Sequence, residues 1–151
     1  MEIENDRELL CIRGKKKNYA FEFRDIREIC RELKISRMPC LPEHFTGVCN
    51  YKGGIVPVLC IEETEPEEER TLVFIFEYQN YQLGILYSGE PYILDPGKYT
   101  EIQRPESESA CNEIWIEKKM ILADEEIYTV LDMEKIIWNL AKFFQGEYMK
   151  Y

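Results

Sequence analysis

The side chains able to do chemistry are few in this chain. Six cysteines stand at positions 11, 30, 40, 49, 60 and 111, and there is one histidine, His44. No two cysteines form a C-x-x-C pair, so a redox dithiol has no motif. Cys40, His44 and Cys49 gather around the histidine, but zinc sites take four ligands at tighter paired spacings and this set lacks a fourth. A Cys–His nucleophile would have to recruit His44, and no residue is marked to orient it. Free thiols, buried or half-buried, are the expectation, with no metal and no other cofactor. Residues 62–69 carry six glutamates. Acid–base catalysis needs a pocket that raises one carboxyl pKa, whereas like charges this dense repel each other and stay solvated, so a loop is expected there. G-x-S-x-G, the P-loop and a G-x-G-x-x-G after a strand are all missing from the sequence. The chemistry points to a protein whose product is an interface, not to an enzyme. One cation stands out within Asn50-Tyr51-Lys52-Gly53-Gly54, where Lys52 sits at the lip of a glycine turn.

The surrounding elements must position that turn. Gly53-Gly54 is read as the chain reversal, because glycine tolerates positive φ. The apolar run 55–61 that follows is β-branched and short, which fits a strand buried on both faces. Before it, 9–12 and 19–23 flank Arg13-Gly14-Lys15-Lys16-Lys17-Asn18. Tyr19, Phe21 and Phe23 alternate with smaller or charged residues, so a hairpin with a solvated basic tip is expected. Residues 25–31 fit either a short helix or a strand. Pro42-Glu43-His44-Phe45 could open a single helical turn. Gln79-Asn80 is read as a hairpin turn between strands over 71–76 and 81–87, and Asp95-Pro96-Gly97 as a further turn after a strand at 92–94. Residues 103–112 are read as a loop. Short strands follow at 114–116, 120–122 and 127–131, with a turn at 123–126. Met133, Ile136, Ile137, Leu140, Ala141 and Phe144 form one apolar stripe of a closing helix, with Asp132 as N-cap and Gly146 as its stop. Many short strands and little helix indicate barrels or a sandwich.

Charge and length bound the partners. The chain has 151 residues and balances 19 basic against 29 acidic side chains, for a net −10. That argues against nucleic acid or an anionic membrane surface as the main partner. No signal-peptide core opens the sequence and no apolar run is long enough to span a bilayer, so a cytoplasmic protein without direct membrane insertion is expected.

Read as one string, residues 19–61 resemble the CheW-like domain of bacterial chemotaxis. Ile26-Arg27-Glu28-Ile29 matches the family's apolar-x-Glu-Ile strand. Gly47-Val48-Cys49-Asn50-Tyr51-Lys52-Gly53-Gly54-Ile55-Val56-Pro57-Val58 matches its Gly-Val-x-Asn-Leu-Arg-Gly-x-Ile-Val-Pro-Val stretch, without a gap between the two. More loosely, 71–87 takes the place of the central hairpin and 123–137 that of the closing turn, strand and helix. The resemblance implies a mainly β fold, a single CheW-like domain over 1–151. It would be made of two small intertwined five-stranded β-barrels, SH3-like, with short helices and a C-terminal helix. It settles 25–31 as strand. It also implies an adaptor that couples the cytoplasmic tips of chemoreceptors to the regulatory domain of the CheA histidine kinase. Ile26 and Glu28 match positions used in partner contact. Lys52 stands at the motif's arginine, and Asn50, Gly47 and Gly53 match residues that shape the turn. The expected partner-binding residues are thus Ile26, Glu28, Asn50, Lys52 and Gly53, with Glu28 beside Ile26 on one surface. The chain departs from the family where Lys52 loses the planar guanidinium fork, where Cys60 replaces an acidic residue, and where Lys118-Lys119 replaces Thr-Gly. Two alternatives follow: a CheW-like binding module serving another cytoplasmic partner, and a small thiol- or metal-dependent enzyme built on Cys40, His44 and Cys49.

Overall fold

The computed structural model describes residues 8–31, 33–37, 44–61, 71–103 and 114–148. The glutamate run at 62–69, residues 104–112 of the expected polar loop, Pro42, Glu43, Cys40 and Cys111 lie outside the described residues. The chain divides into two compact units, unit 1 (1–25 and 91–151) and unit 2 (26–90). Each contains one six-stranded sheet built to the same plan.

In unit 1, β1 (Leu9–Arg13) and β2 (Asn18–Glu22) form the expected basic-tipped hairpin. β2 lies parallel to β12 (Glu126–Leu131), itself a hairpin with β11 (Glu117–Ala123). Short edge strands complete the sheet, β9 (Tyr92–Leu94) on β1 and β10 (Thr100–Ile102) on β11. Tyr92 and Tyr128 come from strands three places apart in the sheet, yet their rings meet edge to face at 6.2 Å. The sheet is therefore curled around its core of Leu9, Cys11, Ala20, Leu94, Ile121 and Val130.

In unit 2 the hairpin β7 (Thr71–Tyr78) and β8 (Tyr81–Ser88) lies parallel, through β8, to β6 (Gly54–Cys60), which pairs with β5 (Phe45–Tyr51). The edges are β3 (Ile26–Arg31) on β7 and β4 (Ile35–Ser36) on β5. The mainly β architecture of two curled sheets is as expected, with six strands per sheet where five were expected. The additions are strands of two or three residues at the edges, too short to leave a periodic signal. Cys30, Cys49, Tyr51, Val56, Val58, Val73 and Ile75 fill the interior.

Several boundaries differ from expectation. The chain reverses at Lys52-Gly53 (φ 49° and 84°) and not at Gly53-Gly54, because Gly54 already opens β6. Gln79-Asn80 and Asp124-Glu125 also take positive φ at both central residues, the mirror-image turn whose twist suits a hairpin. β6 is not buried on both faces, since Ile55 is 69% exposed while Val56, Val58 and Leu59 are fully buried. Residues 114–116 make no separate strand; only Ile116 forms an isolated bridge before β11. His44 takes a positive φ (77°) and leads straight into β5, while Pro42 and Glu43 of the expected helical turn lie outside the described residues. A single turn of 3-10 helix (Phe23–Asp25) precedes β3. The closing helix α1 (Met133–Tyr148) begins as expected, with Asp132 Oδ1 accepting from Lys135 N at 3.1 Å. Met133, Ile136, Ile137, Leu140 and Ala141 are buried. It runs through Gly146 without stopping. A glycine inside a helix costs only about 1 kcal/mol, which its neighbours can offset.

Candidate functional site

The expected partner-binding residues all fall on unit 2, and the register decides which of them meet. Ile26 pairs with Phe76 and Glu28 with Ile75, a one-residue slip that bulges Arg27 out of the ladder. Consecutive residues of β7 face opposite sides of the sheet, so Ile26 and Glu28 do too. This corrects the expectation that they lie side by side. Ile26 instead shares its face with Ile29, which is 38% exposed.

Glu28 turns to the inner side, at the rim of the curled sheet. Its Oε1 accepts a 2.7 Å hydrogen bond from the Tyr51 hydroxyl, and its Oε2 accepts from the Cys30 thiol at 3.5 Å. β3 is one edge of the sheet and Tyr51 belongs to β5 near the other, so this hydrogen bond links the two ends of the curl. Lys52 Nζ approaches the same Oε1 at 3.6 Å and stands 5.3 Å from the Tyr51 ring centroid. The Tyr51 bond, helped by Cys30 and Lys52, holds the Glu28 carboxyl below the ordinary carboxylate pKa. The bond to Glu28 in turn pushes the Tyr51 phenol up, and Tyr51 and Glu28 together raise Lys52. At neutral pH the group is carboxylate, neutral phenol and ammonium.

Asn50 and Gly53 belong to the same rim. Asn50 Oδ1 accepts from Gly53 N at 3.2 Å, which pins the turn that carries Lys52. Asn50 pairs with Ile55 across the hairpin, so the most exposed large apolar side chain among the described residues lies on the outer face of the same hairpin, opposite the face to which Tyr51 turns. Gly47 is needed for close approach: a Cβ there would lie 2.3 Å from the Ser36 carbonyl oxygen on β4. Four of the five expected residues, Glu28, Asn50, Lys52 and Gly53, thus come together, and Ile26 lies on the opposite face. Tyr51 and Ile55 were not singled out by the sequence. The signal for Tyr51 was its place at the leucine of the family's Asn-Leu-Arg-Gly, where a hydroxyl adds a donor.

Three of the described thiols, Cys11, Cys30 and Cys49, are poor nucleophiles. Burial raises Cys11 to about 12 and Cys30 to about 11, the latter helped by Glu28, and burial also raises Cys49. A reactive cysteine needs the opposite shift. Among the described residues no three His, Cys, Asp or Glu side chains gather closely enough to hold a metal ion. No helix among them is long and apolar enough to cross a membrane.

Comparison with known proteins gives two findings. The model of the CheW-like domain family matches residues 8–140. Among solved structures, the fold is similar to that of the scaffolding protein TtCheW from Thermoanaerobacter tengcongensis, with a TM-score of 0.67 and 15% identity over 87% of this chain and 92% of that one. No curated protein matches the chain.

Proposed function

The chain belongs to the CheW-like domain family, and from that premise we propose that it is a cytoplasmic chemotaxis scaffold. In this reading it couples the tips of chemoreceptors to the regulatory domain of a CheA-type histidine kinase. The observation that carries it is the rim group of unit 2. A carboxylate and an ammonium sit 3.6 Å apart with side-chain exposures of 44% and 72%, and the hairpin that carries Lys52 also presents the protruding Ile55 on its outer face. Exposed pairs of this kind add little to stability. Charged groups bordering an apolar anchor are instead what adaptor interfaces use for orientation and selectivity. Such work needs no catalytic group. β3 then offers two surfaces to two partners, Ile26 with Ile29 on one face and the Glu28–Lys52 rim on the other. Ile26→Asp and Lys52→Glu should each weaken pull-down of a receptor or kinase fragment while circular dichroism stays native. Unchanged capture by both variants would remove the site assignment.

One observation favours a second reading, a CheW-like module that serves a different cytoplasmic partner. Tyr51 and Lys52 together replace the family's Leu-Arg, so the short bond to Glu28 comes from a phenol and the ammonium contributes only charge. A partner that reads a guanidinium fork would lose its bidentate contact here. Capture of a non-chemotaxis protein by the wild type, lost in Lys52→Glu, would favour this reading.

A further inference from the structure

Unit 1 carries a concave surface of its own. The β1–β2 turn is closed by Gly14 N donating to Lys17 O at 2.9 Å, which holds Lys15, Lys16 and Lys17 at one lip. Beneath them lies a cavity of about 410 Å³, with Met120, Ile127 and Thr129 on its other wall. That volume falls in the range of pockets that take a ligand or an anchoring side chain. The register places Met120 opposite Thr129 and Leu122 opposite Ile127, so these four share one face of the sheet. Leu122 is 40% exposed and Ile127 50% exposed. Cross-strand apolar neighbours left in water, next to a cavity and under a cationic lip, make an amphipathic receptor surface.

Charge complementarity selects the occupant. The chain as a whole carries −10, yet three consecutive lysines stand at this lip. A long polyanion such as nucleic acid, or an anionic bilayer, would gain three cations and meet the repulsion of the remaining surface. A short acidic segment feels the lip and little beyond it, because screening confines the attraction to about 8–10 Å. Glu117 also lines the cavity, and its carboxylate disfavours a second acid close to it. We propose that this face of unit 1 docks a short acidic peptide segment of a partner protein, with an aliphatic side chain in the cavity between Met120 and Ile127 and its carboxylates at Lys15, Lys16 and Lys17. The site is independent of the Glu28–Lys52 rim.

The test titrates the ¹⁵N-labelled full chain with an N-acetylated, C-amidated pentapeptide, Glu-Glu-Leu-Glu-Ile, and with its lysine-for-glutamate counterpart. The acidic peptide should shift the amides of residues 14–18, Met120, Ile127 and Thr129 and leave Glu28 and Lys52 unmoved. Affinity should fall on the order of tenfold in Ile127→Gln and in the combined Lys15→Ser, Lys16→Ser, Lys17→Ser variant. Both changes lie at exposed positions, and a native spectrum for each establishes that the fold is kept. Equal response to the two peptides, shifts elsewhere, or unchanged affinity in both variants overturns the proposal. So does concentration-dependent dimerisation lost in Ile127→Gln, which would give the face to a second copy. Equal binding of anionic vesicles or single-stranded DNA through the same amides would assign it to a polyanion.

Discussion

Unit 1 and unit 2 follow one strand plan, a hairpin set parallel to a second hairpin, and each brings a glutamate to a lysine. The surroundings of the two pairs differ. In unit 1, Glu22 is 5% exposed and meets Lys118 Nζ at 2.9 Å, with Arg24 at 3.7 Å. In unit 2, Glu28 and Lys52 stand in water at 3.6 Å, and a tyrosine takes the short bond. A buried carboxylate must keep its counter-ion or destabilise the fold, whereas an exposed one can exchange its partner at little cost. The first pair therefore belongs to folding, and in the proposed reading the second serves recognition. Lys118, which departs from the family's Thr-Gly, is the counter-ion of that buried glutamate.

The largest expected effect separates the two pairs directly. Removing one partner of a buried pair costs roughly 3–5 kcal/mol. Lys118 is 38% exposed and Arg24 remains nearby, so Lys118→Met should cost about 2 kcal/mol in urea unfolding. A loss close to zero would place the two pairs in one class. Next comes a break in the shape of unit 2 that leaves its charge intact. Gly47→Ala puts a methyl 2.3 Å from Ser36 O and 2.9 Å from Ser36 C, both backbone atoms. Because β4 is a two-residue edge strand that can give way, the cost should be about 1–2 kcal/mol. A crystal structure should show β4 displaced from β5.

A smaller effect of opposite sign lies beside the buried pair. Burial, then Glu22 and Glu134, raise the Asp25 carboxyl to about 6, against the partial relief of Lys118. The folded state then holds the Asp25 proton more tightly than the unfolded chain. Wild-type stability should fall as pH rises from the ordinary carboxylate value through about 6. Asp25→Asn should be about 1 kcal/mol more stable at pH 7, discounted from the full shift for residual solvation, and should match wild type below pH 4. Glu28 behaves in the reverse sense, since its lowered pKa adds stability above its unfolded value that is lost as the pH falls through the folded one. Parallel pH–stability curves for Asp25→Asn and the wild type would remove this contrast.

The hairpins, the basic tip, the N-cap at Asp132 and the family were legible in the sequence, because each is written in local spacing or in a contiguous motif. What sets the site apart was not. The bulge at Arg27 that sends Ile26 and Glu28 to opposite faces depends on register with β7, a strand more than forty positions away. The Lys118–Glu22 contact spans 96 positions. Ile55 looks buried in an apolar run, and only the place of β6 in a curled sheet puts it outside. Gly47, Asn50 and Gly53 were read as turn-shaping; Asn50 and Gly53 do close the turn that carries Lys52, while Gly47 instead makes room for β4.

The central claim is that the exposed pair recognises and the buried pair folds. Isothermal titration of a kinase regulatory-domain fragment into wild type and Lys52→Glu, with urea midpoints taken on the same samples, tests it most directly. The account predicts binding weakened on the order of tenfold or more at an unchanged midpoint. Unchanged affinity, or a loss of affinity that merely follows a lowered midpoint, would contradict it.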